Sequence, residues 1–152
     1  MNKAWLGDQY ASLLDPRSTW FQRWYFELRV TEEIYRFQRY GQLASLIVMI
    51  FGTRSSEKDY LARLAKIADE GLRLIDIPGH IESREYGICL PHTPASGAEV
   101  VLDRLADLLS EFSVQIGYAV FGEDGETFWE LLSSARRHAT GPSRRPIPFH
   151  AA

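Results

Sequence analysis

The chain has 152 residues, 45% of them hydrophobic, 12% aromatic and 24% charged, a composition that fits one globular domain and excludes disordered and fibrous classes. Seventeen basic against twenty acidic residues leave a net charge of −3, so there is no broad cationic surface of the kind that binds DNA or RNA. The single cysteine, Cys89, excludes an internal disulfide, and the longest apolar run, Leu43–Phe51, falls far short of the roughly 20 residues needed to span a bilayer.

Residues 1–14 read as a lead-in helix; Met1 to Tyr10 lack the basic start and apolar stretch of a secretion signal, which predicts a cytoplasmic protein. Trp20 to Arg39 follow a helical rhythm, with Phe21, Trp24, Tyr25, Leu28, Val30 and Ile34 expected to face the core. Leu43–Phe51, bounded by Gly41 and Gly52, reads as a buried strand. Thr53 to Lys58 is polar loop, Ser56-Glu57-Lys58-Asp59 resembles a helix start, and the apolar face from Tyr60 runs on to Leu72. Asp76-Ile77-Pro78-Gly79-His80 is expected to be an irregular turn, followed by a strand from Glu85 to Leu90 that Pro91 stops. Ser96-Gly97-Ala98-Glu99 has the form of a capping box, opening a helix with Val101, Leu105, Leu108 and Phe112 on one face. Ser113 to Phe121 alternate with period two, Gly122–Gly125 is a turn, and Thr127 caps a last helix reaching about His138. The Gly/Pro/Arg-rich residues 141–152 read as a flexible tail. The expected result is one α/β (α+β) domain with a central sheet.

Generic catalytic motifs are missing: no phosphate-cradling glycine loop, no nucleophile elbow and no metalloprotease helix. His80, His92, His138 and His150 are scattered, with none three or four residues from another, so no metal is expected, and Cys89 between Ile88 and Leu90 reads as a buried small hydrophobe. Fourteen of the basic residues are Arg and only Lys3, Lys58 and Lys66 are Lys, a bias that fits codon usage in a GC-rich genome as well as recognition of phosphate or guanine edges.

One succession of motifs is more specific. Leu90-Pro91-His92-Thr93, a helix, Val114-Gln115-Ile116-Gly117-Tyr118-Ala119, Glu123-Asp124-Gly125-Glu126-Thr127 and Glu130-Leu131-Leu132-Ser133-Ser134-Ala135 resemble the C-terminal half of GGDEF domains, and Asp15-Pro16-Arg17-Ser18-Thr19-Trp20-Phe21 resembles that family's opening. The resemblance covers about residues 10–138, with residues 15–140 as the domain. It implies a nucleotide-cyclase-like, mostly antiparallel sheet wrapped by helices. The register from Tyr86-Gly87-Ile88 places the five signature positions at Glu82, Ser83, Arg84, Glu85 and Tyr86, so both signature glycines and the middle acid are replaced. The family's metal-binding acids of the first strand would fall within Val48-Met49-Ile50, all apolar. The resemblance therefore implies a degenerate cyclase without catalytic residues or metal.

The family's product-inhibition site, an R-x-x-D whose Asp lies six residues before the signature, maps to Arg73 and Asp76, and its second arginine to Arg104. This implies a ligand, cyclic di-GMP: Arg can donate to guanine O6/N7 or meet phosphate, and a carboxylate can accept from guanine's other edge. Arg104-Leu105-Ala106-Asp107 is a second match to the pattern, so register rather than pattern selects Arg73, and the same residues read also as an ion pair at a helix end. By resemblance, the chain is a receptor signalling to a protein partner, such as exopolysaccharide or biofilm machinery, with a homodimer left open. The alternative is an interaction or dimerisation scaffold that binds no nucleotide.

Overall fold

The computed structural model describes residues 8–52 and 58–141, so expectations for residues 1–7, the 53–57 loop and the 142–152 tail lie outside the described residues. A 3-10 helix, Asp8–Leu13, leads into α1 (Arg23–Tyr40). Gly41 ends α1 in the left-handed region (φ 69°), its N–H donating to the Phe37 carbonyl. Strand β1 (Ala44–Phe51) pairs antiparallel with β3 (Glu85–Pro91) on one side and β4 (Val114–Val120) on the other. Strand β2 (Ile77–Glu82) completes an antiparallel sheet of order β2-β3-β1-β4. Helices α2 (Lys58–Asp69) and α3 (Ala95–Leu108) cover one face, and α1 with α4 (Phe128–Thr140) the other. The expected helix-wrapped antiparallel sheet is the observed architecture. Because β1 lies inside the sheet with both faces covered, Leu46, Ile47, Val48 and Met49 are all buried, which is why its sequence is an unbroken apolar run.

Three expectations need correcting. Residues 77–80 are strand, not turn. Proline is tolerated at a sheet edge, and here the Pro78 carbonyl accepts the Phe21 N–H while the His80 N–H donates to the Phe21 carbonyl, joining the segment before α1 to β2. Second, α1 turns Phe26, Val30 and Ile34 inward and leaves Trp24 and Leu28 more than half exposed. The cause lies in the sheet: Gly79 and Gly87 are cross-strand partners forming a bare floor for Phe26, whose Cγ would lie 2.3 Å from a Cβ on Gly79. Third, α3 starts at Ala95 behind Pro94 without a side-chain cap; Ser96 and Glu99 already lie in the helix, and Glu99 instead accepts from the Tyr118 hydroxyl at 2.8 Å. At α4 the cap forms as expected, Thr127 Oγ1 accepting the Glu130 N–H.

Two amides on the outer edge of β4 are taken by side chains. The Tyr118 N–H donates to His138 Nδ1 (3.0 Å) and the Val120 N–H to Asp124 Oδ2 (2.7 Å). Cys89 is fully buried, and burial drives its thiol well above the ordinary range. Native protein is therefore expected to leave a chromogenic disulfide reagent unreduced over minutes, with one equivalent of thiol released on unfolding; rapid release from the native state would contradict this burial.

Candidate functional site

Arg73 and Asp76 sit at opposite ends of the turn between α2 and β2, closed by an Asp76 N–H to Arg73 carbonyl bond of 3.0 Å. Asp76 has no exposed surface, although half of the intervening Leu74 and Ile75 side chains or more is exposed. Its Oδ2 accepts the Arg73 backbone N–H at 2.7 Å, and its Oδ1 accepts Arg73 Nε and Nη2 at 3.1 and 2.8 Å. Nη2 also donates to the Pro91 carbonyl (3.0 Å) and Thr93 Oγ1 (2.8 Å), which binds the turn to the end of β3. The Arg73 side chain is 45% exposed, so one edge of its guanidinium is anchored and the rest faces solvent. Arg104, on α3, donates Nη1 to the Gly71 carbonyl at 3.1 Å, two residues before Arg73. Arg104 on α3 thus lies against the α2–β2 connection that carries Arg73 at the surface and Asp76 beneath it. Asp76 is placed differently from a ligand-facing carboxylate: it is buried and both its oxygens are engaged by Arg73.

The five positions that the resemblance assigns to the signature lie in the β2–β3 hairpin: Glu82 ends β2, Ser83 and Arg84 make the turn, and Glu85 and Tyr86 open β3. Glu85 is 7% exposed and meets Arg136 of α4 in a two-pronged contact, Arg136 Nε to Oε2 at 2.7 Å and Nη2 to Oε1 at 2.5 Å. That contact raises the Arg136 pKa further, and Glu82 lies 3.8 Å from the same guanidinium. Val48 and Met49 are buried in the two core layers, and Ile50 is the β1 partner of Glu85. Among the described residues no group of three or more His, Cys, Asp or Glu is placed to hold a metal ion. Two Mg²⁺ ions need clustered hard oxygen ligands, and a lone buried carboxylate already neutralised by arginine does not fit them.

Behind the hairpin lies a constellation that the sequence alone did not reveal. The Tyr86 hydroxyl donates to Asp15 Oδ2 (3.3 Å), as does Ser18 Oγ, while Asp15 Oδ1 accepts from the Arg17 backbone and Nε. Burial, reinforced by the Asp15 carboxylate, pushes the Tyr86 phenol up to about 12. Burial opposes ionisation of Asp15, but the bonds from Arg17 outweigh it and hold its carboxyl below the usual value. His80 packs at a tilt of 47° against Tyr86 with ring centroids 4.9 Å apart, and its buried Nε2 has no hydrogen-bond partner among the described residues. Burial lowers its pKa against the pull of Asp15. A histidine that resists protonation only when folded adds stability that is complete above about pH 6.5 and is lost as the pH falls below it. Asp15 acts in the same sense from about pH 4 downward. The melting temperature is accordingly expected to fall from pH 7 to pH 5, and His80→Gln to flatten that segment; a melting temperature that rises on acidification in this range would refute the assignment.

A concavity of about 450 Å³ beside the β4 edge, bordered by Tyr118, Asp124, Arg137 and His138, contains none of Arg73, Asp76 or Arg104.

No protein-family model and no curated protein matches the sequence. Solved structures do. The diguanylate cyclase SiaD of Pseudomonas aeruginosa, solved with its activator SiaC, superposes with a TM-score of 0.78 over 90% of this chain at 23% identity. This chain covers 60% of the SiaD chain. The GGDEF domain of FimX, also from P. aeruginosa, matches at 0.74 and 17% identity, covering 84% of this chain and 91% of its own. The coiled coil and GGDEF domain of DgcB from Caulobacter crescentus, solved with c-di-GMP, matches at 0.75 and 10% identity, covering 88% and 82%. The protein has a GGDEF-type fold.

Proposed function

We propose that this protein is a cytoplasmic receptor for cyclic di-GMP that does not synthesise it, and that it binds the dinucleotide at Arg73 and Arg104 and reports occupancy to a protein partner. The observation that carries the reading is the approach of the two arginines: Arg104 bonds the Gly71 carbonyl, two residues from Arg73, whose guanidinium is held with part of it open to solvent. Two fixed guanidinium groups suit a ligand with two phosphates and two guanines, since each can meet a phosphate, donate to O6/N7 or stack on a base. Solved relatives of the fold with c-di-GMP bound and with an activator protein bound support both kinds of partner. The reading of inactivity rests on Val48, Met49 and Ile50 on β1 and on Glu85, whose charge Arg136 neutralises.

Titration calorimetry with cyclic di-GMP tests this directly. Wild type is expected to give saturable heat, and Arg104→Ala to weaken binding about tenfold or more, the worth of one hydrogen bond from a charged donor. Incubation with GTP and Mg²⁺ is expected to yield no cyclic product. Absence of heat at high ligand concentration would sink the receptor reading. The alternative scaffold is favoured by one feature, the exposed Trp24, Leu28 and Tyr35 along α1, which offer contact area to another protein whether or not nucleotide binds.

A further inference from the structure

We infer that Thr93 is a positioning residue for Arg73, fixing which part of its guanidinium a ligand meets; the inference rests on the reading of Arg73 as a ligand contact. Thr93 follows β3 and is 5% exposed, so its hydroxyl needs internal partners. It has them: Oγ1 donates to the Pro91 carbonyl at 2.9 Å and accepts from Arg73 Nη2 at 2.8 Å. The strained His92 (φ 54°) folds Thr93 back over Pro91, and the Thr93 carbonyl accepts from the fully buried Ser45 Oγ at 2.8 Å. Ser45 belongs to β1 and Pro91 is paired with Ala44, so the frame around this hydroxyl is the sheet itself.

The consequence for Arg73 follows from counting its hydrogens. Nε has one, which goes to Asp76 Oδ1. Nη2 has two, shared among Asp76 Oδ1, the Pro91 carbonyl and Thr93 Oγ1. The guanidinium is therefore held in one plane with Nε and Nη2 inward, leaving the two Nη1 hydrogens and a planar face for a phosphate oxygen, a guanine edge or a stacked base. Asp76 and Thr93 both hold the Nε–Nη2 edge: Asp76 supplies the charge, and Thr93, a second acceptor on Nη2, stops rotation about the Asp76 contact. On this account Asp76 acts through Arg73 and touches no ligand.

The test compares wild type, Thr93→Val and Thr93→Ser in two measurements. In the ligand-free protein, nitrogen-15 NMR is expected to resolve the Arg73 Nη hydrogens, which only a guanidinium held against rotation displays, in wild type and Thr93→Ser, and to find them merged in Thr93→Val. Calorimetry with cyclic di-GMP is expected to give about tenfold weaker binding for Thr93→Val, with Thr93→Ser within about twofold of wild type. Merged Nη signals in wild type, failure of serine to restore them, or unweakened binding by Thr93→Val each overturn the inference. No binding by wild type removes the receptor reading instead, while the loss of resolved hydrogens in Thr93→Val and their return in Thr93→Ser would still establish Thr93 as the residue that holds Arg73. Should Thr93→Val not fold, Thr93→Ala takes its place.

Discussion

Asp76→Ala is expected to destabilise the protein by about 2–3 kcal/mol and to abolish the ordered state of Arg73. The carboxylate is wholly buried and accepts three bonds, all from Arg73. Removing one member of a buried ion pair commonly costs about 3–5 kcal/mol, because the other charge is stranded. Here the stranded partner is 45% exposed and can turn to water, which lowers the expected loss. What water cannot replace is the acceptor for the Arg73 backbone N–H, which would be left on a turn closed only by the Asp76 N–H bond. Asp76→Asn keeps an oxygen for that N–H and should lose about half as much. Urea unfolding of the two variants provides the measurement; equal losses would mean that the charge, and not the backbone bond, dominates.

A larger effect is expected for Gly117→Ala. A Cβ at this position would lie 2.3 Å from the Ala135 carbonyl oxygen and 2.3 Å from the Ala139 nitrogen. Both are backbone atoms of α4, so no side chain can rotate away and the helix must lift from β4. Overpacking typically costs about 1–3 kcal/mol where side chains can yield. With two backbone contacts the loss is expected at about 3 kcal/mol or more, or about 10 °C in melting temperature for a chain of this size. Lifting α4 also pulls Arg136 from Glu85 and His138 from the Tyr118 N–H, so the hairpin at the far side of the sheet should loosen with it. A melting temperature within about 2 °C of wild type would show that α4 is not held as described.

Much of this architecture was legible because one physical rule governed each segment. The apolar run from Leu43 could only be an interior strand, period-two alternation marked Val114–Val120, and Thr127 three residues before Glu130 marked the start of α4. The failures came where tertiary contacts overrode local signals. Pro78-Gly79 reads as a turn until Phe21 is seen pairing with its far edge and Phe26 lying over Gly79. Trp24 is the larger aromatic and fits the same helical stripe, yet the glycine floor admits Phe26. At the candidate site, Arg73, Asp76 and Arg104 were legible only through the register set by Tyr86-Gly87-Ile88. Burial of Asp76 and the grip of Thr93 on Arg73 were not, since a carboxylate in a loop and a threonine after a strand carry no sign of their depth. Asp15 and Tyr86, 71 residues apart, meet only through the fold.

A sheet's last strand ordinarily invites company, because its outward amides act as a template for any extended chain that drifts past. In this protein the template is blank where it matters: the imidazole of His138 and the carboxylate of Asp124 already occupy the two amides of Tyr118 and Val120. Stacking of one copy's β4 against another's would first have to evict both groups, so ordered fibril growth from that margin is penalised even in concentrated solution.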